Sequence, residues 1–327
     1  MAIGIGLDVG GTKILGCAMD ADGSLVAEVR VASPHTPELL YQALVDCVDA
    51  LLAKLGPLAP QVRGVGVGVP GLVDEHGVLH ETANLHGMTE LDLPAALRGP
   101  IGELLGGPGA SFHLIVDNDA TCAAAAEHAW GAGRGGADSV LVTLGTGIGG
   151  GIVSDGRIVR GARNFGGEVG HMVIDPSGPD CGCGRKGCWE RFSSGTGLAY
   201  LARRAARAGT APRLIDLAGG DVDAIVGEHV VKAASEGDPG VAAVLEEFGS
   251  YLSLGLANIV EILDPGCIIL GGGLVAASHV LLEPGLRIYA TTYRRGSGPR
   301  AVPVVLATLG ERAGAFGAAA LSLGTVG

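Results

Sequence analysis

The chain has 327 residues, of which 47% are hydrophobic and 17% charged, so it can bury a large core and does not have the composition of a disordered chain. Its formal net charge of −12 argues against a general nucleic-acid surface. Glycine is in excess, with 58 residues against a usual share of ~7%, but without the G-X-Y period of collagen.

Hydropathy and cysteine spacing indicate the compartment. The apolar stretches at residues 139–153 and 267–282 are interrupted by glycine clusters or a histidine, and both fall short of the ~20 apolar residues of a membrane helix. The N-terminal segment has no basic region and carries Asp8, so we expect neither a signal peptide nor an anchor. Seven cysteines, three of them within residues 181–188, do not suggest a disulfide framework. We therefore expect a soluble cytoplasmic protein without a membrane partner.

The first elements in the chain are predicted to form a glycine-turned hairpin. Residues 3–31 are typical of an apolar strand, a tight turn at Gly10, Gly11 and Thr12, a second strand, a turn and a third strand. Turns of this kind expose backbone N–H groups without side chains in the way, and such donors can hold phosphate oxygens.

Two further strands and a helix follow. Residues 61–69 alternate as a strand and end at Pro70 and Gly71, and residues 113–116 form another strand that ends at Asp117, Asn118 and Asp119. An Ala-rich helix is expected over residues 120–130, with Asn118 or Asp119 at its N-terminus. Helix capping is one interpretation of these two residues. The alternative is catalytic, because the helix dipole favours an ionised carboxylate that could serve as the base of a hydroxyl-phosphorylating enzyme.

Residues 139–159 repeat the plan of the first hairpin, with a glycine turn at Gly145, Thr146 and Gly147. Gly10 and Gly145 are 135 positions apart, close to the 133 positions that separate Gly23 and Gly156. Chance similarity of glycine-rich hairpins is one reading, and a duplicated domain with a cleft between the copies is the other. A third cluster (Gly271, Gly272 and Gly273) follows the apolar strand at residues 267–270 and favours a nucleotide site.

The strongest local signal is a cysteine cluster. Cys181, Cys183 and Cys188 lie within eight residues, and His171 lies ten residues before the first of them. Three thiolates and one imidazole are typical of a structural Zn²⁺ site, and the spacing does not match a redox CxxC motif. Unliganded thiols remain the alternative.

Two glutamates flank this cluster. Glu168 lies three residues before His171, and Glu190 lies two residues after Cys188. They could be solvated surface residues, but zinc bound to one imidazole nitrogen would leave the other as an N–H donor. Two carboxylate acceptors and one such donor suit the vicinal hydroxyls of a sugar.

Together these residues resemble the ROK family of bacterial sugar kinases and repressors, and most of all its ATP-dependent glucokinases. The resemblance spans almost the whole chain. The motifs that carry it are Asp8-Val-Gly-Gly-Thr-Lys13, Asn118-Asp119, Leu144-Gly-Thr-Gly-Ile-Gly-Gly-Gly151, Glu168-x-Gly-His171, the cysteine run ending in Cys188-Trp-Glu190, Leu270-Gly-Gly-Gly273 and the helix beginning at Ala313.

The resemblance implies an α/β, actin/hexokinase-like (ribonuclease-H-like) fold of two lobes with a duplicated core. The expected N-terminal lobe covers residues 1–118 and is completed by a C-terminal helix at about 311–327. The expected C-terminal lobe covers residues 119–310 and includes a zinc-binding loop at residues 171–190. Such enzymes transfer the γ-phosphoryl group of ATP to the 6-hydroxyl of glucose, with Mg²⁺, and form homodimers or homotetramers.

The resemblance also implies a role for each matching residue. Asp119 would be the catalytic base, and Asp8 would act with Mg²⁺. The sugar would be bound by Gly71, Asn84, Asn118, Asp119, Glu168, His171 and Glu190. ATP would be bound by Asp8, Gly10, Gly11, Thr12, Lys13, Gly145, Thr146, Gly147, Gly271, Gly272 and Gly273. Zinc would be bound by His171, Cys181, Cys183 and Cys188.

Some alternatives stay open at this point. Asp117 stands where the family often has Glu, and the sugar stays open between glucose, fructose, mannose, N-acetylglucosamine and N-acetylmannosamine. The phosphoryl donor stays open between ATP and polyphosphate. A repressor of the family would carry a winged helix-turn-helix ahead of Asp8, where this sequence has seven residues, so we expect no DNA binding. An actin-like or chaperone-like ATPase would not need the clamp of Glu168, His171 and Glu190.

Overall fold

The structure is a computed structural model that describes residues 2–82, 85, 87–107, 109–293 and 302–325. Its strands are β1 (Ile3–Val9), β2 (Lys13–Asp20), β3 (Leu25–Ala32), β4 (Val62–Val69), β5 (Leu72–Val73), β6 (Val78–Glu81), β7 (Leu91–Asp92), β8 (His113–Asn118), β9 (Ser139–Leu144), β10 (Ile148–Ser154), β11 (Arg157–Ile158), β12 (Cys267–Gly271) and β13 (Val304–Leu306). Its α-helices are α1 (Pro37–Leu55), α2 (Leu93–Leu104), α3 (Asp119–Trp130), α4 (Glu190–Ser193), α5 (Gly195–Arg207), α6 (Arg213–Leu217), α7 (Gly227–Ser235), α8 (Pro239–Leu263), α9 (Ser278–Leu281), α10 (Glu283–Ile288) and α11 (Ala313–Leu323).

Two five-stranded sheets have the same strand order. The first runs β3-β2-β1-β4-β8 and the second β11-β10-β9-β12-β13. In the first sheet the hairpin strands pair antiparallel, and β4 and β8 join in parallel. The second sheet begins with an antiparallel pair and ends with a parallel one. The matching order supports the predicted duplication of the core.

Contacts divide the chain into two compact units. The first unit contains Met1–Leu141, Gly151–Gly167 and Ala307–Gly327, and the second contains Val142–Gly150 and Glu168–Leu306. The expected lobe boundary after residue 118 stays a prediction, but by contacts α3 belongs with the first unit, where it packs against α11. A third, three-stranded sheet (β5-β6-β7) also lies in the first unit.

The alternation of β1 determines what packs on each face of the first sheet. Its odd-numbered side chains, Ile3 to Val9, are fully buried in a core shared with the apolar face of α1. Its even positions begin with Gly4 and Gly6, which face α11 so closely that a Cβ on Gly6 would lie 1.8 Å from the carbonyl oxygen of Ala315. Part of the glycine excess therefore allows a helix backbone to lie directly on the sheet.

The second unit is organised around α8, the longest helix among the described residues. Trp189 is fully buried, and its ring contacts the backbone of α8 where Gly255 leaves room for it. The indole nitrogen donates to the carbonyl oxygen of Tyr251 at 3.0 Å. This contact anchors the segment that carries the cysteine cluster.

Most predicted elements are confirmed. The two glycine-turned hairpins, the strand before Gly71, the strand before Asn118, the helix after it and the C-terminal helix all form within a few residues of the expected bounds. Asn84 lies outside the described residues. No helix in the part of the chain that the structure describes combines the length and apolar character that crossing a membrane requires.

Candidate functional site

Asp8 and Asp119 lie on the same face of the first sheet. Asp8 continues the even-numbered positions of β1, so its carboxyl group faces α11, where a Cβ on Gly314 would lie 2.6 Å from it. Asp119 begins α3 directly after β8, and its Cα would lie 3.5 Å from a Cβ on Gly68 of β4. The glycines on this face make the space in which the two carboxyl groups approach each other.

Asn118, and not Asp119, caps α3. The Asn118 side-chain oxygen accepts from the N–H of Thr121 at 3.0 Å, and its amide nitrogen donates to the carbonyl oxygen of Gly71 at 3.1 Å. Asp119 is the first helical residue, and its carboxylate accepts from the N–H of Ala120 at 2.8 Å. The capping interpretation therefore applies to Asn118, which leaves the Asp119 carboxylate available for chemistry.

Both carboxyl groups hold their protons more tightly than usual. Burial raises the pKa of Asp8 to about 7, with a further increase from the charge of Asp119 and a decrease from Lys13. Burial also raises the pKa of Asp119 to about 6, although the N–H groups of Ala120 and Asp119 itself oppose the shift. A pair of crowded carboxylates with raised pKa values suits a cation site next to a general base.

The first glycine turn keeps two backbone donors available. The N–H of Gly10 donates to the Lys13 carbonyl oxygen at 2.9 Å, which closes the turn. The N–H groups of Gly11 and Thr12 make no hydrogen bond to any described residue. The Lys13 ammonium donates to Glu311 at 2.6 Å, and hydrogen bonds from Lys13 and Arg30 lower the pKa of Glu311 to about 2.

The second glycine turn lies in the second unit and has two neighbours. Its Gly145 N–H donates to the Gly147 carbonyl oxygen, which leaves the N–H groups of Thr146 and Gly147 without a partner among the described residues. The third glycine cluster packs against the residue that precedes this turn, since a Cβ on Gly272 would lie 2.5 Å from the carbonyl oxygen of Leu144. The second turn (Gly145, Thr146 and Gly147) and the third cluster (Gly271, Gly272 and Gly273) therefore form one backbone surface, the glycine surface.

The sequence reasoning missed the segment Ser194, Gly195 and Thr196. The N–H of Gly195 donates to the Gly145 carbonyl oxygen at 2.8 Å, and the Thr196 hydroxyl donates to the Thr146 carbonyl oxygen at 2.9 Å. Ser194 caps α5 by accepting from the N–H of Gly197. The sequence Ser-Gly-Thr-Gly before an apolar helix is an N-cap signal from which this segment could have been predicted. The positive end of α5 thus joins the glycine surface.

The four predicted zinc ligands lie together. The ligand atoms of His171, Cys181, Cys183 and Cys188 are all within 4.8 Å of one another. Cys181 Sγ lies 3.6 Å from His171 Nδ1, and the Sγ atoms of Cys183 and Cys188 are 3.5 Å apart. Three soft sulfur donors and one imidazole within this space fit a tetrahedral Zn²⁺ ion.

Tight turns make this cluster possible. The N–H of Cys181 donates to the carbonyl oxygen of Arg185, so the chain folds back within five residues. Gly187 adopts a φ of 66° and lies so close to Asp175 that a Cβ would be 1.5 Å from its carbonyl oxygen. Only glycine fits at that position.

The thiols of the cluster differ electrostatically. Burial raises the pKa of Cys181, and its hydrogen bond to Glu190 raises it further. Burial also opposes ionisation of Cys183, but hydrogen bonds with Arg185, Cys188 and Cys181 together outweigh it and lower the pKa of Cys183 to about 7.

Glu190 connects the cysteine cluster to the glycine surface. Its Oε1 accepts from Cys181 Sγ at 3.0 Å and lies 3.7 Å from His171 Nδ1, while Oε2 accepts from the N–H of Ile148 at 3.4 Å. On the other side of the imidazole, Nε2 lies 4.0 Å from Glu168 Oε2. The imidazole therefore has its Nδ1 directed to the cluster and its Nε2 to Glu168.

The predicted site residues form one group in each unit. Asp8, the turn from Gly10 to Lys13, Gly71, Asn118 and Asp119 belong to the first unit. The second unit holds the remaining described ones: Gly145, Thr146, Gly147, Glu168, His171, Cys181, Cys183, Cys188, Glu190, Gly271, Gly272 and Gly273.

Comparison with known sequences gives one family. The model of the ROK family matches residues 4–324. The chain is 33% identical over 325 residues to a glucokinase of Streptomyces coelicolor, covering 98% of both chains. It is 31% identical over 323 residues to an N-acetylmannosamine kinase of Escherichia coli O157:H7, also covering 98% of both.

Comparison with solved structures supports the same family. The crystal structure of a ROK family glucokinase from Streptomyces griseus, in complex with glucose and AMPPNP, is 34% identical, with a TM-score of 0.77. The match covers 99% of this chain and 100% of that one. The predicted actin/hexokinase-like α/β fold is thereby confirmed.

Proposed function

The chain belongs to the ROK family, and on this premise we propose that it transfers the γ-phosphoryl group of ATP to the 6-hydroxyl of glucose. The observation that carries the proposal is the Asp119 carboxyl group, held at the start of α3 beside Asn118 and opposite Asp8, with its pKa raised to about 6. Similarity to the glucokinases of Streptomyces supports the choice of glucose and ATP.

Asp119 is the general base of the proposed reaction. Its carboxylate accepts the proton of the 6-hydroxyl as the sugar oxygen bonds to the γ-phosphorus and the bond to the β-phosphate oxygen breaks. A pKa of about 6 keeps most of the carboxylate ionised at neutral pH, yet makes it a stronger base than an ordinary aspartate.

Asp8 is the residue proposed to hold Mg²⁺, which would neutralise charge on the phosphates of ATP. Its raised pKa fits this role, because a bound cation would favour the ionised form that burial and Asp119 disfavour. The unpartnered N–H groups of the two glycine turns and the N-terminus of α5 are proposed to bind phosphate oxygens.

The sugar is proposed to be bound by Asn118 and Gly71 of the first unit, Asn84, and Glu168, His171 and Glu190 of the second. The role of zinc is positional. A tetrahedral ion on the four ligands would hold His171 and Glu190 in place and fix the imidazole tautomer, so that Nε2 carries the proton and donates.

Substitution of Asp119 tests the base. Asp119→Asn keeps the size of the side chain and removes the basic oxygen, so we expect kcat to fall by about 10²–10⁴ with KM for ATP within about twofold. The matched control is Asp49→Asn on the exposed surface of α1, which should retain the wild-type kcat. Near-wild-type turnover by Asp119→Asn would exclude Asp119 as the base.

A panel of sugars tests the substrate. Glucose, fructose, mannose, N-acetylglucosamine and N-acetylmannosamine would be compared in a coupled ADP-release assay, and polyphosphate would replace ATP in a direct assay of the sugar phosphate. We expect glucose to have the highest kcat/KM with ATP. A higher value for N-acetylmannosamine, the substrate named for the E. coli relative, would correct the sugar and keep the kinase.

We also propose an assembly and a cytoplasmic location. A homodimer or homotetramer is expected, and the exposed Ile262 at the end of α8 offers an apolar contact for it. All seven cysteines are described as free thiols, which fits the cytoplasm. Analytical ultracentrifugation would give the mass of the assembly.

A further inference from the structure

The residue before the catalytic turn, Asp117, is a buried carboxylate with every oxygen engaged. Its side chain is 4% exposed. Oδ2 accepts from Arg160 Nε at 2.8 Å, and Oδ1 accepts from the backbone N–H of Asn118 at 2.8 Å. Asn164 donates to the same Oδ1 at 3.4 Å.

Asn164 links this carboxylate to a second element of the sugar-binding region. Its amide nitrogen also donates to the carbonyl oxygen of Val73 in β5, at 3.1 Å. β5 begins directly after Gly71, whose own carbonyl oxygen accepts from Asn118. Asn164 has a φ of 65°, a left-handed conformation that asparagine tolerates better than most residues. Two hydrogen-bonded paths therefore connect the end of β8 to the start of β5.

This arrangement has a physical consequence for the base. The N–H that Asp117 accepts belongs to the peptide between Asp117 and Asn118, so holding the Asp117 carboxylate also holds that peptide plane. Asp119 follows directly, and a small rotation of the plane would redirect its carboxylate. Because reaction rate depends steeply on the alignment of the reacting atoms, a fixed plane favours turnover.

We propose that the Arg160–Asp117 ion pair, with Asn164, is a positioning device that orients the Asn118–Asp119 turn for proton abstraction. The inference rests on the proposed function. Arg160 and Asp117 are positioning residues, since neither needs to touch the sugar or ATP. The segment from Arg160 to Asn164 follows the hairpin β10–β11, and four residues after it the chain reaches Glu168.

Substitution of Arg160 by lysine separates geometry from charge. Arg160→Lys keeps the positive charge but loses the Nε–H directed at Oδ2, so we expect a roughly tenfold lower kcat, KM for ATP within about twofold and a nearly unchanged Tm. The matched control is Arg157→Lys in β11, whose exposed side chain has no hydrogen bond or ion pair to a described residue and which should retain the wild-type kcat. A wild-type kcat for Arg160→Lys would overturn the proposal.

Substitution by methionine adds a readout that a purely structural role would not move. Arg160→Met removes both the ion pair with Asp117 and the hydrogen bond from Nε to Oδ2. We expect kcat per folded chain to fall further than in Arg160→Lys, with KM for ATP within about twofold, because the peptide plane before Asn118 is no longer held. Loss of folded enzyme alone would lower the concentration of active chains and leave kcat per folded chain unchanged, and that result would count against positioning.

The Asp119→Asn variant distinguishes this proposal from the one on which it depends. If Asp119→Asn loses turnover and Arg160→Lys does not, the base is correct and the positioning device is wrong. If Asp119→Asn retains turnover, the proposed base itself is wrong, whatever the Arg160 variants do.

Discussion

At the level of single residues, the chemistry of the first unit depends on how two carboxyl groups are buried. Asp8 and Asp119 lie on a face of the sheet where glycine replaces most side chains, so the backbones of α11 and α3 lie close to the strands and bury the two groups. Burial accounts for the largest part of both pKa increases. The burial that raises the pKa of Asp119 also makes it costly for the folded protein to hold Asp8 and Asp119 ionised at the same time.

The first prediction concerns the pH dependence of activity. Asp119 must be ionised to accept a proton, so the active fraction falls as the pH decreases through its pKa of about 6. At saturating Mg²⁺ and ATP, where a bound cation would keep Asp8 ionised, we expect log kcat/KM for glucose to decline below about pH 6 with a slope near one. Thermal melts across the same range would show that the protein stays folded. A profile that remains flat down to pH 5 would contradict the raised pKa.

A second prediction concerns stability. The folded-state pKa of Asp8 is about 7, against a reference value of 3.8, so between these values the folded chain binds more protons than the unfolded chain. Stability therefore falls as the pH rises from about 4 to 7. We expect Asp8→Asn to raise Tm at pH 8, by about 2 °C for each ~1 kcal/mol gained, and to raise it less at pH 5.

The control for Asp8→Asn is Asp22→Asn in the exposed turn after β2, whose effect on Tm should be small and independent of pH. A pH-independent gain for Asp8→Asn would show that its charge is not the cause.

At the level of elements, the close approach of α11 to the first sheet decides where the site lies. β1 and β4 both place glycine between large apolar residues, and four of these glycines face α11: Gly4, Gly6, Gly64 and Gly66. A Cβ on Gly66 of β4 would lie 1.9 Å from the carbonyl oxygen of Ala318. The helix backbone therefore takes the place of a side-chain layer on this face.

Alanine substitution tests this contact. Gly6→Ala would place a methyl group 1.8 Å from the Ala315 carbonyl oxygen, and a helix backbone cannot yield as a side chain can. We expect a loss of about 3 kcal/mol or more in the free energy of unfolding, measured in urea. Gly102→Ala in α2, whose Cβ would meet nothing nearer than 3.8 Å, is the control and should be neutral or gain up to ~1 kcal/mol. Equal stability of the two variants would contradict the close contact.

At the level of the whole molecule, each unit carries its own part of the proposed chemistry. The first holds the proposed base and the carboxylate proposed to hold Mg²⁺, and the second holds the proposed zinc ligands together with two of the three glycine clusters. The zinc ligands are more than ten residues from the nearest glycine cluster in the chain, yet Glu190 contacts both. We therefore expect metal binding to affect the residues proposed to bind the sugar, such as Glu190, more than those proposed to bind ATP.

Disruption of the zinc ligands tests that expectation. In Cys181→Ser the bound zinc per chain should fall well below one, and KM for glucose should rise by about tenfold or more while KM for ATP changes by about twofold or less. Cys267→Ser, a thiol outside the cluster, should keep the zinc and both constants. An equal loss for sugar and ATP would mean that the ion supports folding only.

Features encoded over short stretches of chain were predictable from the sequence alone. The alternation of β1 and β4, the glycine turns and the Asn118 cap depend on neighbouring residues. The zinc ligands also lie within one loop, so their spacing alone predicts that they converge. Repetition of the hairpin predicted a duplicated core, which the common strand order of the two sheets supports.

Contacts between distant parts of the chain required the tertiary structure. Arg160 reaches Asp117 across 43 positions, Thr196 reaches Thr146 across 50, and Glu311 reaches Lys13 across 298. No local pattern distinguishes these side chains from other exposed arginines, threonines or glutamates. Their partners are decided by which strands become neighbours and how closely α11 lies on the sheet, because hydrogen bonds and ion pairs act only over a few ångströms.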